Sequence, residues 1–470
     1  MQAFKPDKTK IIATIGPSSE SEEKMRQLVL AGVDVFRFNL KHNSLDWHQE
    51  KIEQVVRIEQ ELGTAIGVLV DLQGPELRTK TSNNIDIAVT EGTEVTFIPQ
   101  KAGTYTGTYI IMPDIAFETL SVDDVFVLDD GYVTFRVTEK NDAHLIATSQ
   151  NDYVIKTNKS LNIQQKDLPI PSLTENDLEK LALAKRTRAD FVALSFVRSK
   201  EDVLTLRNAM EERDIHADIV AKVESQKGVD NIDEIIEHAD VIMIARGDLG
   251  IETPIESVTY FQKETIKKCR EHSKPVIVAT QMLESMIHAP IPTRAEAADV
   301  ANAVFDRTDC VMLSGETASG KYPVEAAKTM SRIIAFNEAR LEYKRYEHAK
   351  LDTTSRIAQA AVSLTNSEDV HKIISLTETG YTARIIAALR PNKPIITVSP
   401  SIETLQRLAV CYGIQPVTLD ASIVDTDSYQ PLIDELMSRG LVTTGETVII
   451  IHGQQLGVPG HTNTLVIVTV

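Results

Sequence analysis

Short runs of consecutive apolar, largely β-branched residues recur along the first two thirds of the chain, each followed by a longer stretch with helical spacing. The runs occupy residues 11–15, 35–38, 66–70, 191–194, 219–223, 241–245, 276–279 and 311–313. Unbroken rather than alternating hydrophobicity is what a strand covered on both faces needs. The stretches between them, such as 22–31, 200–213, 229–238 and 293–304, set their apolar residues on one helical face. The last of these opens Thr293-Arg-Ala-Glu296, a capping box whose hydroxyl and carboxylate satisfy helix-start amides. Eight strand–helix units predict an α/β fold closed into a (β/α)8 TIM barrel, with a doubly wound open sheet as the alternative.

The alternation breaks after the third run. From about residue 77 to 167 the pattern becomes strands of alternating polarity separated by turn signals: Asn83-Asn84, Asp130-Gly131, Asn141-Asp142. Asp129-Asp-Gly131 ahead of Tyr132-Val-Thr-Phe-Arg-Val-Thr138 predicts a hairpin. A small all-β insertion in a βα loop belongs over the C-terminal mouth of a barrel, where a lid must sit. After the eighth unit a charged stretch, 340–348, predicts a helix leading to a third region with strands at 373–376, 395–398, 448–451 and 465–468. The expected division is a barrel at 1–74 and 168–345, an inserted lid domain at 75–167 and a C-terminal α/β domain at 346–470.

Composition narrows the partners. Across 470 residues, 67 Asp plus Glu against 49 Lys plus Arg give a formal net charge of −18. Such a body repels nucleic acid and anionic membranes, and an anionic substrate has to be held by a local group of cations. Hydrophobic residues at 42% are ordinary for a folded chain, and no apolar stretch approaches a membrane span. The opening MQAFKPDKTK lacks the apolar segment of a secretory signal. Cys269, Cys310 and Cys411 lie too far apart for a zinc knuckle or a disulfide scaffold. The expectation is a reduced, cytoplasmic enzyme with neither a nucleic-acid nor a membrane partner.

Polar groups gather where each barrel run ends: Thr14, Arg37 and Asn39, Asp71, Ser195 and Arg198, Lys222 and Glu224, Arg246 and Asp248, Thr280 and Gln281, Ser314 and Glu316. The C-terminal ends of the strands are where barrel enzymes carry their sites. Lys222 and Glu224, two apart, face the same way on one strand. Glu224 and Asp248 on neighbouring strands suit one divalent ion, Mg2+ or Mn2+, beside the fixed charge of Lys222. A plain buried salt bridge between Lys222 and Glu224 accounts for the same spacing.

The segments Lys10-x-x-x-Thr-Ile-Gly-Pro17, Arg37-x-Asn39, Gly74-Pro-Glu-Leu-Arg78, Ala245-Arg-Gly-Asp-Leu-Gly250, Ala279-Thr-Gln-Met-Leu-Glu-Ser-Met286, Pro292-Thr-Arg-Ala-Glu296, Asp299-Val-Ala-Asn302 and Met312-Leu-Ser-Gly-Glu-Thr-Ala318 together closely resemble pyruvate kinase. The resemblance runs the length of the chain and implies a barrel, an inserted β lid and a C-terminal α/β domain. It implies phosphoryl transfer from phosphoenolpyruvate to ADP, giving pyruvate and ATP in glycolysis, with Mg2+ as cofactor. Arg37 then resembles the phosphoryl-contacting arginine, and Lys222 stabilises charge on that group and on the enolate. Glu224 and Asp248 hold Mg2+, and Gly247 with Asp248 cradles the substrate carboxylate. Thr280 stands near the proton relay. Asn39, Leu40, Lys41, His42, Arg78 and Lys159 match nucleotide-contacting positions. Thr377, Thr379 and Thr382 resemble an effector loop for a phosphorylated metabolite, with Gly457-Val-Pro-Gly-His-Thr462 as its opposite wall. A homotetramer is implied by the resemblance alone. Two other readings stay open: a Mg2+-dependent aldolase or lyase acting on enolpyruvate-like acids, and a non-catalytic sensor of phosphorylated ligands.

The chain departs from that family at a monovalent-cation site. The usual Asn-Phe-Ser-His reads Asn39-Leu-Lys-His42, and the usual Asp-Thr-Lys-Gly-Pro-Glu reads Asp71-Leu-Gln-Gly-Pro-Glu76. Of four potassium ligands, Asn39 and Asp71 remain, while a serine has become Lys41 and a threonine Leu72. The expectation is that the Lys41 ammonium takes the place of K+, held by Asp71, Asn39 and Glu76. Two like charges a few ångströms apart repel by roughly 4 kcal/mol at an effective dielectric of about 20, so lysine and potassium exclude each other. An outward-swung Lys41 touching only a nucleotide phosphate is the alternative. The lid segment Lys159-Ser-Leu-Asn-Ile-Gln-Gln165 keeps the family lysine but lacks its hinge glycines and proline.

Overall fold

In the computed structural model the barrel strands are Lys10–Thr14, Val35–Asn39, Gly67–Asp71, Phe191–Leu194, Asp218–Val223, Val241–Ala245, Val276–Ala279 and Cys310–Leu313. The residues described are 8–102, 105–163, 166, 168–342, 344, 346, 348, 352–365, 369–420, 428–453 and 462–470. Each strand pairs in parallel with the next in the chain, and Lys10 opposite Cys310 closes the ring. The barrel is closed, and the open-sheet alternative falls.

Side-chain alternation sorts the strands into two layers. Ile12, Val35, Leu69, Phe191, Val220, Val241, Ile277 and Cys310 fill the interior. Their immediate neighbours Ile11, Phe36, Val68, Val192, Ile219, Ile242, Val278 and Val311 pack against the outer helices. Continuing the inward parity toward the strand ends reaches Thr14, Arg37, Asn39, Asp71, Ser195, Lys222 and Glu224. The barrel is therefore apolar below and polar at its mouth.

The interior core does not stop at the barrel floor. It runs on into Ala358, Ala383, Ile386, Leu408, Ala409 and Ile414 of the C-terminal unit. A Cβ on Gly67 would stand 2.9 Å from Val35 and 3.2 Å from Ala409, so only glycine allows this closeness. Arg390, fully buried at the seam, donates to the Arg307 carbonyl at 2.9 Å and to Asp309 at 2.6 Å. The C-terminal sheet has the order Ile414–Thr418, Ile395–Ser399, Val370–Leu376, Thr447–Gly453, Thr462–Thr469, all parallel except the last.

The insertion forms a second, smaller closed barrel of seven strands around Phe97, Phe126 and Phe135, whose rings stack edge-on and face-on. Asp129 and Asp130 at φ 53° and 55°, then Gly131 at 91°, turn the chain into the strand Val133–Lys140.

Helices form where the spacing places them, as Glu22–Leu30, Lys200–Glu211 and Arg294–Phe305, the last with its Thr293/Glu296 capping box made. The stretch 229–238 breaks at Asn231 into Gln226–Asp230 and Ile232–His238. The helix expected over 340–348 is not there among the described residues. The preceding helix Pro323–Glu338 ends first, and its follow-on is pinned to the barrel base instead. Arg307 takes the Glu342 carbonyl, Arg270 covers the Tyr346 ring at 3.9 Å, and Gln359 takes the Tyr346 carbonyl. Among the described residues no helix is long and apolar enough to cross a membrane.

Candidate active site

Arg37, Asn39, Asp71, Ser195, Arg198, Lys222, Glu224, Asp248 and Gln281 of the polar strand ends open into one cleft of about 1060 Å3 between barrel mouth and lid, whereas Thr14, Arg246, Thr280, Ser314 and Glu316 are not in its lining. Arg37, Asp71, Lys222, Glu224 and Asp248 line it from below, and Asp130, Gly131, Tyr132 and Asn162 from the lid.

Lys222 is its centre. The ammonium donates to Ser195 Oγ at 2.8 Å and pairs with Glu224 at 3.0 Å and Asp71 at 3.4 Å. Burial would lower its pKa, but Asp71 first and Glu224 second override that and hold it raised, so the charge is permanent. Arg37 donates to Asp71 at 2.7 Å and to Thr14 Oγ at 2.9 Å, which in turn donates to the Leu313 carbonyl. Burial would push the Asp71 carboxyl up, yet Lys222 and Arg37 outweigh it and keep the group ionised. Glu224 behaves differently. Burial, with the charge of Asp248 adding to it, raises its pKa in spite of Lys222 and the Phe196 N–H donated at 2.7 Å. Phe196 reaches that carboxylate from a left-handed backbone at φ 53°. Asp248 is likewise raised, chiefly by burial.

Three carboxylates thus face two cations, leaving a negative excess that sits on Glu224 and Asp248. Two such carboxylates fit a Mg2+ ion whose remaining shell is water and substrate oxygen. Among the described residues no cluster of three or more His, Cys, Asp or Glu offers an all-protein cage instead. The Lys222–Glu224 salt bridge is also present, so the two readings of that spacing are not exclusive.

Thr280 and Gln281 follow the seventh strand with φ of 68° and 54°, unusual for a β-branched residue. That turn swings the Thr280 hydroxyl under the helix Arg246–Glu252, where it accepts the Gly247 N–H at 2.7 Å and donates to the Ala279 carbonyl at 2.6 Å. The Gly247 amide, expected to face a substrate carboxylate, is therefore engaged by Thr280 here. Arg246 secures the turn, donating to the Thr280 carbonyl at 2.8 Å while Asp299 holds the guanidinium at 2.7 Å.

The residues expected to contact a nucleotide form two groups. Lys41 and Arg78 share Glu76, at 2.6 Å and 2.8 Å, and Arg78 also donates to the Asn158 carbonyl. Lys159 pairs with Asp129 at 2.9 Å. The Lys41 ammonium was expected on Asp71, Asn39 and Glu76; only Glu76 binds it. Arg37 and Lys222 have already taken Asp71, and Asn39 Oδ1 accepts the Lys41 backbone N–H at 3.1 Å. Leu40 is packed into the core, so its side chain offers a nucleotide nothing, whereas His42 is exposed.

Beside the C-terminal sheet, Thr377 and Thr379 lie between the strand Val370–Leu376 and the helix Tyr381–Ala388, and Thr382 is in the first turn of that helix. Thr377 Oγ accepts the Gly380 N–H at 3.0 Å, and Thr382 and Thr462 hydroxyls meet at 2.6 Å. Residues 457–461 of the expected opposite wall lie outside the described residues, as do 164 and 165 of the lid segment.

The strand-end pattern contains Thr14 and Ser195 but assigns them no role; inward parity was the signal that joins them to Arg37 and Lys222. Asp299, Asn162 and Glu252 carry no such signal.

The family model "Pyruvate kinase, barrel domain" matches residues 6–327, and "Pyruvate kinase, alpha/beta domain" matches 355–468. A pyruvate kinase of Geobacillus stearothermophilus is 40% identical over 467 residues, 97% of this chain and 79% of the relative. One from Sporosarcina psychrophila is 39% identical over the same shares. A crystal structure of a pyruvate kinase from Cryptosporidium parvum superposes with a TM-score of 0.91 at 31% identity, covering 99% of this chain and 96% of that one.

Proposed function

The chain belongs to the pyruvate kinase family and is a phosphotransferase, and from that premise we propose how its own residues carry the reaction. Phosphoenolpyruvate lies over Lys222 with its phosphoryl group toward Arg37, and ADP enters from the side of Lys41, Arg78 and Lys159. A β-phosphate oxygen of ADP forms the new bond to phosphorus as the bond from phosphorus to the enol oxygen breaks, the electron pair staying on that oxygen. Lys222 and Arg37 meet the charge spread over the group in flight, and Lys222 also meets the enolate oxygen. Both cations are fixed beforehand by Asp71, Ser195 and Thr14, so little reorganisation accompanies the transfer. Glu224 and Asp248 would hold Mg2+, which supplies charge neutralisation at the substrate oxygens when bound. The enolate then takes a proton at its methylene carbon to become pyruvate. A hydroxyl is a weak acid, so Thr280 orders the donor water and does not itself ionise.

The observation that carries this reading is the buried set of Lys222, Asp71, Glu224 and Arg37 at one cleft. A lyase reading leaves Lys41, Arg78, Lys159 and the lid without a ligand. The purified chain with Mg2+, phosphoenolpyruvate and ADP is expected to form ATP and pyruvate together, and no pyruvate when ADP is left out. Pyruvate release without ADP would support the lyase instead, and no turnover at all the sensor. A glycolytic role, a cytoplasmic location and a homotetramer are part of this proposal, with the family likeness as their support, and the Thr377–Thr382 loop is the proposed seat of a phosphorylated effector.

Potassium independence is part of the proposal, in altered form. Leu72 is buried and has no side-chain oxygen, its carbonyl accepting from Ser195 Oγ at 3.1 Å, and Lys41 supplies a cation from Glu76 rather than from Asp71. Turnover in sodium or Tris buffer is expected to change by less than about twofold on adding K+. Lys41→Ser should lower turnover in sodium and make it rise steeply with K+. A strong K+ response of the unaltered chain would defeat the idea.

A further inference from the structure

Among the described residues, the lid touches the barrel-mouth helix Arg246–Glu252. Asn162, on the lid strand Lys159–Ile163, donates its side-chain amide to Glu252 Oε1 at 2.9 Å. Glu252 is the last residue of the helix Arg246–Glu252, one turn beyond Asp248. Beside it the lid's hairpin tip rests on the same helix, where a Cβ on Gly131 would stand 3.6 Å from Ile251. The lid strand that offers Asn162 also carries Lys159, fixed by Asp129 at 2.9 Å. One hydrogen bond therefore links the strand bearing a nucleotide-side cation to the helix bearing a metal-side carboxylate.

We propose that Asn162 and Glu252 are positioning residues for phosphoryl transfer, their hydrogen bond clasping the lid strand Lys159–Ile163 onto the helix that carries Asp248. The inference rests on the kinase reading for the reaction it serves. The residue types suit the task. A carboxamide donates without adding charge, so the negative excess at Glu224 and Asp248 is left for a cation. Lysine or arginine at 162 would cancel part of it, and aspartate would repel Glu252 and open the lid. Burial pushes Glu252 up to about 7, and the Asn162 N–H opposes that shift by favouring the carboxylate. Neither residue touches the reacting atoms; both act through the distance they hold constant.

Hydrogen exchange and steady-state kinetics on the full chain test this. Asn162→Ala and Glu252→Ala should each speed substrate-free amide exchange in the strand Lys159–Ile163 by about tenfold, the population shift that one charge-assisted bond sustains. Both should raise KM for ADP several-fold and leave KM for phosphoenolpyruvate within about twofold. Glu252→Gln keeps an acceptor oxygen and should recover most of what Glu252→Ala loses. The double alanine variant should be no worse than either single one. Unchanged exchange in both alanine variants, failure of Glu252→Gln to recover either readout, or additive losses in the double variant would each overturn the clasp. Exchange is read without turnover, so an unaltered chain that forms no pyruvate would sink the kinase reading while the clasp is still decided on its own measurement.

Discussion

Lys222→Met is expected to lower kcat by about 1000-fold, with a far smaller change in KM for phosphoenolpyruvate. In the proposed mechanism the ammonium acts on charge that develops only during transfer, so its loss falls on turnover rather than on ground-state binding. The same change should also destabilise the fold. Lys222 neutralises two buried carboxylates, and Arg37 can compensate only Asp71. Removing one partner of a buried ion pair costs about 3–5 kcal/mol, so thermal unfolding should shift down by many degrees. Lys222→Arg will not restore activity, because a planar fork cannot sit on Ser195 Oγ, Glu224 and Asp71 as a compact ammonium does. An active Lys222→Met enzyme would end the assignment of that residue.

Glu224→Gln should separate activity from stability. Burial, with the charge of Asp248 adding to it, raises the pKa of the Glu224 carboxyl. Glutamine keeps an oxygen for the Phe196 N–H and removes the charge. Turnover is expected to fall by about 100-fold or more, with weaker Mg2+ binding by calorimetry. The unfolding temperature should hold or rise. The sign follows from linkage. A carboxyl whose pKa is raised by folding loses stability as pH climbs from the ordinary carboxylate range toward neutrality, and glutamine does not. The advantage of Glu224→Gln should therefore be absent near pH 4 and appear as the solution approaches neutral. A pH-independent difference between the two proteins would refute the burial argument.

How far the sequence revealed this depends on the kind of signal. Barrel strands and the inward set Arg37, Asp71, Lys222 and Glu224 were legible because period two along a strand is a local rule. The exchange of partners at Lys41 was not, since several carboxylates lay within reach of a long side chain and only packing shows that Arg37 and Lys222 occupy Asp71. The helix expected at 340–348 had charge and composition but lost to tertiary partners, Arg307, Arg270 and Gln359, that no local window contains. Asn162 and Glu252 stand 90 positions apart in separate units, so nothing in spacing could join them.

The shared core beneath the strands has a consequence for any attempt to dissect this enzyme. Cutting the polypeptide after Glu338 would turn Val35, Gly67 and Phe191 out to water and strip Asp309 of its guanidinium. The chemistry and its C-terminal neighbour are thus inherited as one piece. A lineage that sheds the latter has first to repaint the underside of the former with polar groups.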